Sequence, residues 1–326
     1  MKRREILKTL SAIPVAGGMM SIEPIMASVS QKKPASDAGL LSNPPPGALA
    51  LGPQIYQSIG VEPMINCRGT FTIISGSIEL PEVQKAVDYA SRHYVHIDEL
   101  AMAVGKRLAA ITGAEWGMVS SGCAAGLKHV TVACITDGDP EKLVRVPDLT
   151  GFTKTEVIVP GYSRNQYDHA IRNAGIKMIT VNSMEEFRKA VSSRTAMIYL
   201  FSAPREYYEG PLSIENIAPI ARENNIPILV DAAAEILTIP NDHLKRGATV
   251  VAYSGGKALR GPQGAGLLLG SKDLLFSTWQ ASSPHHGPGR DNKIGKEEHI
   301  GMLAAVEAWA KRNHPEEEKT WISWLE

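Results

Sequence analysis

The 326-residue chain has no net charge, because 34 Lys and Arg offset 34 Asp and Glu. Without a surplus of either sign it has no global field to draw in nucleic acid or an anionic membrane, so neither is an expected partner. Cysteine is scarce. Cys67, Cys123 and Cys134 are odd in number, which argues against a disulfide framework. The closest two stand eleven positions apart in apolar sequence, without metal-ligand spacing, so buried free thiols are expected and no metal site is. The histidines form no HExxH pattern, and His285 and His286, before "GPGR", read more readily as solvated loop residues than as metal ligands. "GPQGAG" lacks GxGxxG order. Gly256 and Lys257 lack the upstream glycine and following Ser or Thr of a P-loop. The apolar stretch from Ile6 to Met20 is too short to span a bilayer, and no internal repeat is visible.

What remains, 44% hydrophobic and 21% charged positions, suffices for a full core, in one large domain with a smaller attachment. The N-terminus stands apart. Lys2, Arg3 and Arg4 precede the apolar stretch, and small residues follow at Ala27 and Ser28, the order of a signal peptide over 1–27. The paired arginines resemble a twin-arginine export motif, with Lys2 where that motif has Ser or Thr. This predicts a periplasmic or otherwise exported protein; a basic N-terminal helix or retained anchor in a cytoplasmic protein is the other reading. Residues 28–53, with "NPPPG", read as a solvated linker.

From Leu80 to Ala110 apolar residues recur at three- and four-residue spacing, predicting two amphipathic helices, with Pro81 in a first turn. "AEWGMVSSG" predicts a strand and a turn before an Ala-rich helix. "TEVIVP", "IKMITV", "AMIYLF" and "IPILVD" are short apolar runs separated by helical patterns such as "NQYDHAIRNAG" and "MEEFRKAVS". That alternation predicts an α/β fold with a mainly parallel sheet covered on both faces. "GATVVAYSGG" and "GAGLLLG" add two strands, expected as a hairpin-like edge.

Ligands of open α/β sheets sit outside the carboxyl ends of the strands, which gathers three groups into one crevice. Ser121, Gly122 and Cys123 open a helix, so free amides and the positive end of the helix dipole suit a phosphate; ordinary capping is the alternative. Asp231 ends an apolar strand and precedes three alanines. A buried carboxylate needs a positive or proton-donating partner, such as a protonated pyridine nitrogen; the alternative is a cap on a helix through "AAAEIL". Lys257, in "YSGGKALRG", is an amine one strand later, and in a partly enclosed site it becomes a nucleophile toward an aldehyde; a surface charge in a flexible turn is the alternative.

Together "SSGCAAG", "ILVDAAAE" and "YSGGKALRGPQGAGLLLG" resemble the pyridoxal phosphate enzymes of aminotransferase-type fold. The likeness is to the selenocysteine synthase-like branch that also holds glucosaminate phosphate ammonia-lyases, from about Ile65 to about Ala310. The resemblance implies pyridoxal 5'-phosphate as cofactor, with Lys257 forming its Schiff base and moving the substrate's α proton. Asp231 would hold the pyridine nitrogen protonated; Ser121, Gly122, Cys123 and Ser254 would hold the phosphate; Ala233 would pack on one ring face. Where the family has a histidine before "RNxYD" this chain reads "GYSRNQYD", so either Tyr162 stacks on the other face or that face is less covered. Arg68, Arg290 and Lys296 match basic positions that bind a substrate carboxylate or phosphate, some across a subunit interface, which implies a homodimer or larger homo-oligomer.

The implied organisation is a large cofactor-binding domain over 54–310, followed by 311–326 as the start of a helix leading to a small domain that this sequence lacks. The implied activity is a lyase or transferase acting on an amino acid or amino sugar acid by β-elimination or β-replacement. A selenium transferase for seryl-tRNA, and a noncatalytic protein retaining the fold, are the alternatives.

Overall fold

The computed structural model describes residues 49–325. The expected signal peptide and most of the expected linker lie outside them. Residues 49–65 form one unit, tightened by a 3-10 turn at Gln57–Ile59 and by the Ser58 hydroxyl, which donates to the Ile55 carbonyl at 2.7 Å. Residues 66–325 form the other.

In that larger unit lie seven strands: β1 Trp116–Ser120, β2 Glu156–Pro160, β3 Lys177–Val181, β4 Thr195–Phe201, β5 Ile228–Asp231, β6 Val250–Ser254 and β7 Gly266–Gly270. They make one sheet in the order β1-β7-β6-β5-β4-β2-β3, parallel except for β7, which runs antiparallel to both neighbours. The helices of seven residues or more are α1 Pro81–Ser91, α2 Ile97–Thr112, α3 Gly122–Thr136, α4 Met184–Ala190, α5 Ile214–Glu223, α6 Lys272–Gln280, α7 Lys296–Lys311 and α8 His314–Ser323. Pro81 is the first residue of α1, where its missing N–H costs no helical hydrogen bond.

Side chains alternate along each strand, so neighbours enter opposite layers. Val157, Val159, Leu229 and Leu268 pack with Leu127 and Val130 of α3 and Leu275 of α6. Ile158, Val230, Leu267 and Leu269 pack with Leu108 of α2, Ile217 of α5 and Val306 of α7. Both faces are thus covered, which is why the strands read as continuous apolar runs. Helix α3 is buried nearly all round, as its apolar composition requires.

Three sequence readings change. β6 and β7 pair antiparallel as expected, but β1 forms the edge: β7 carries buried leucines on both faces and needs a neighbour on each side. "NQYDHAIRNAG" forms only a 3-10 turn at Gln166–Asp168 and a single helical turn at His169–Arg172. Buried Asp168 holds both Arg164 and Arg172 there, and Gly175, at φ +84°, turns the chain into β3. Cys123 and Cys134 are buried, but Cys67 is exposed, in a stretch that also leaves Phe71 and Ile73 in solvent.

Candidate active site

Sheet register assembles the site. Gly266, first residue of β7, is paired with Ser120 on one side and Ser254 on the other, so the carboxyl ends of β1 and β6 meet across a single glycine. A Cβ on Gly266 would lie 2.5 Å from the Gly122 carbonyl carbon and 2.6 Å from the Cys123 nitrogen. Only glycine lets the sheet approach the first turn of α3 this closely. Gly122 itself has φ +77°, which turns the chain from β1 into the helix. Ser121 makes no side-chain capping bond, so capping does not consume its hydroxyl, and the first amides of the helix, which have no partner within it, lie at the carboxyl end of β1. That cradle fits a phosphate.

Asp231 closes β5 and is 2% exposed. No helix follows it: Glu235 N–H donates to the Ala232 carbonyl in a turn, which removes the capping alternative. Its Oδ1 accepts from the Ala233 amide at 3.1 Å and from the Cys123 thiol at 3.7 Å, and its Oδ2 accepts from the Tyr199 hydroxyl at 3.0 Å. Burial pushes this carboxyl above its ordinary range, while the three donors and the nearby Lys257 ammonium pull it down. Burial, then the Asp231 charge, pushes the Cys123 thiol well up, which keeps it a protonated donor. A buried carboxylate with four acceptor sites and three donors has room for one more N–H.

Lys257 follows β6, half-buried, in a loop tied to itself and to its surroundings. Gly255 N–H donates to Ala265 O at 2.8 Å, Gly261 N–H to Gly255 O at 2.8 Å, and Ser77 N–H to Gly256 O at 2.8 Å. Leu80 N–H and the Arg260 side chain add bonds at 3.1 and 3.0 Å between this loop and residues 78–80. Among the described residues nothing accepts a hydrogen bond from Lys257 Nζ. Its charge is felt by both Asp231 and Cys123. Ser254 N–H reaches Ala233 O at 3.3 Å, drawing Ala233 beside the same strand end.

The structure therefore brings together Ser121, Gly122, Cys123, Asp231, Ala233, Ser254 and Lys257. The Tyr162 hydroxyl donates to Leu212 O at 2.9 Å, and its half-buried ring packs against the layer that holds α5. Arg68 is exposed, its guanidinium 5.5 Å from the Phe71 ring centroid. Arg290 is exposed, next to Gly289, which lies against His129 of α3. Lys296, at the start of α7, is paired with Glu297. Sequence reasoning missed Tyr199, Asn165 and Gly266. Tyr199 is the one polar tip inside "AMIYLF", and Asn165 Nδ2 donates to it at 3.3 Å.

Residues 165–289 match the family model for aminotransferase class-V. D-glucosaminate-6-phosphate ammonia lyase of Salmonella typhimurium is 32% identical over 265 residues, covering 78% of this chain and 70% of that protein. The chain belongs to this family of pyridoxal phosphate-dependent enzymes. A solved structure of D-glucosaminate-6-phosphate ammonia-lyase superposes with a TM-score of 0.73 at 31% identity, over 80% of this chain and 71% of that one. A 5'-C-glycyluridine monooxygenase-decarboxylase of Streptomyces is 29% identical, over 81% of this chain and 67% of its own. An L-seryl-tRNA(Sec) selenium transferase of Hyphomonas neptunium is 26% identical, over 60% of this chain and 46% of its own length. The family is thus represented by lyase and transferase relatives, and its cofactor matches the cradle, carboxylate and amine described above.

Proposed function

We propose that the chain is a lyase for an amino acid or amino sugar acid, removing or replacing a β substituent once the α proton has left. The observation that carries this is the convergence of the α3 cradle, buried Asp231 and Lys257 at the carboxyl ends of β1, β5 and β6. The family's ammonia lyase, similar over most of the chain, supports the lyase reading. Ser121, Gly122, Cys123 and Ser254 would hold the cofactor phosphate, and Asp231 the proton on the ring nitrogen. Bound there, pyridoxal phosphate supplies an electron sink for the carbon bearing the substrate amino group. Lys257 takes and returns the proton on that carbon, its backbone held by the loop bonds while the side chain moves. Arg290 and Lys296 are proposed to meet a carboxylate or phosphate of the substrate, from a neighbouring copy in a homodimer or larger homo-oligomer. Export through the twin-arginine route is inferred from Arg3, Arg4 and the residues after them.

The test uses the purified protein loaded with pyridoxal phosphate. It is expected to be yellow, to carry the cofactor on the Lys257 peptide after borohydride reduction, and to release ammonia or an oxo acid from a member of an amino acid and amino sugar acid panel. Lys257→Ala is expected to lose both colour and turnover. A colourless wild type, or cofactor reduced onto another lysine, overturns the reading. Turnover only of seryl-tRNA would assign the chain to the selenium transferase activity instead.

A further inference from the structure

Asp231 divides its acceptor capacity unevenly. Oδ1 takes the Cys123 thiol and the Ala233 amide, which fills both lone-pair directions of that oxygen. Oδ2 takes only the Tyr199 hydroxyl, so the remaining lone pair is on Oδ2. The Tyr199 oxygen accepts from Asn165 Nδ2 at 3.3 Å, which leaves its single proton for Asp231. Asn165 is itself held in place. Its Oδ1 accepts from the Tyr167 amide at 2.7 Å, capping the turn at Gln166–Asp168, and its Nδ2 also donates to Ser163 O at 3.1 Å. Tyr199 is fully buried in β4, so no water competes for either of its bonds.

We propose that Tyr199, anchored by Asn165, is a positioning residue that keeps Asp231 ionised and reserves the free lone pair of Oδ2 for the cofactor's ring nitrogen. The proposal rests on the reading that the ring sits against Asp231. A hydrogen bond to a carboxylate favours its charged form, so losing the Tyr199 proton moves the proton shared by Asp231 and the ring nitrogen toward Asp231. Hydrogen bonds to charged groups are strong enough that about a tenfold or greater loss of cofactor affinity is expected as well.

The experiment loads wild type, Tyr199→Phe and Asn165→Asp with pyridoxal phosphate labelled with 15N in the ring. It reads the nitrogen resonance and the cofactor dissociation constant. Wild type is expected to show a protonated ring nitrogen. Tyr199→Phe is expected to move the resonance toward the unprotonated value and weaken binding about tenfold or more. Asn165→Asp keeps an oxygen for the Tyr167 amide but offers Tyr199 a competing acceptor, so a shift in the same direction is expected. It decides alone if Tyr199→Phe does not fold. A wild type whose cofactor is not reducible onto Lys257 defeats the underlying reading. A wild type that passes that check, with unchanged resonance and affinity in the folded variants, overturns the role of Tyr199.

Discussion

At the scale of single residues, several titratable groups have been moved by burial, and each move has a sign. Burial, then the neighbouring Lys128 charge, pushes the His129 imidazole down to about 4, with Asn292 and Asp291 opposing. The folded state therefore binds fewer protons here than the unfolded chain between pH 6.5 and 4, so stability rises with pH across that window and is lost as pH falls through it. The full difference is worth about 3 kcal/mol. Urea unfolding of wild type and His129→Gln between pH 6.5 and 4.5 is expected to show the steeper loss in wild type; parallel curves would contradict it. Asp231 has the opposite sign, its raised pKa contributing stability that fades as pH rises, which makes the comparison of variants more informative than the absolute curve. Away from the site, the Tyr207 hydroxyl and His243 Nδ1 are 2.8 Å apart, and His243 Nε2 lies 3.0 Å from Glu235. Although burial pushes the Glu235 carboxyl up, bonds from His243, Ser202 and Tyr208 hold it below its ordinary value. It is therefore an acceptor, His243 donates to it, and Tyr207 donates to His243. Tyr207→Phe unpairs a buried ring nitrogen and is expected to cost about 1–3 kcal/mol, read as a lower urea midpoint with unchanged slope.

At the scale of elements, the junction of β7 with α3 is a tight constraint on the site. Gly266→Ala would drive a methyl group into the backbone of Gly122 and Cys123. Since backbone cannot yield as a side-chain tip can, a stability loss of about 1–3 kcal/mol is expected, together with weaker cofactor binding. Equilibrium dialysis against pyridoxal phosphate checks the second part, and wild-type affinity in the variant would show that the cradle lies elsewhere. Most strands were legible in the sequence because they are branched apolar runs ending at a turn residue, and Lys257, Asp231 and Ser121 stood out because each lies at or just after the end of an apolar run. Position within the sheet was not. Leucines on both faces of β7 show burial, but which strand flanks it depends on partners far along the chain, Trp116 pairing with Gly270 and Ser120 with Gly266. The bond from the Tyr162 hydroxyl to Leu212 was not legible for a similar reason: Leu212 is fifty residues on, and no local pattern announces that contact. The role of Tyr199 was not legible because the two groups at its hydroxyl, Asp231 and Asn165, are 32 and 34 residues away in the chain.

At the scale of the whole molecule, equal numbers of acidic and basic residues leave association to local chemistry. Arg290 is exposed, and the homo-oligomer proposed above gives it a site to serve. Light scattering is expected to find at least a dimer of the cofactor-loaded protein, and an active monomer would remove that role. No described helix is long and apolar enough to cross a membrane. Because β7 is antiparallel, the chain leaves the sheet after Ser254 and re-enters it at Gly266 at the same end of the strands, with Lys257 between. The carbonyl of Gly255 receives Gly261, that of Ala265 receives Gly255, and those of Gly256 and Arg260 receive Ser77 and Leu80. The amides of Gly255, Gly261, Ser77 and Leu80 should therefore exchange with deuterated solvent far more slowly than those of ordinary loops. The lysine then works like an arm on a bolted mount: adaptation to substrates of different size must come from the walls around it, and variants that broaden substrate range should map there rather than to residues 255–266.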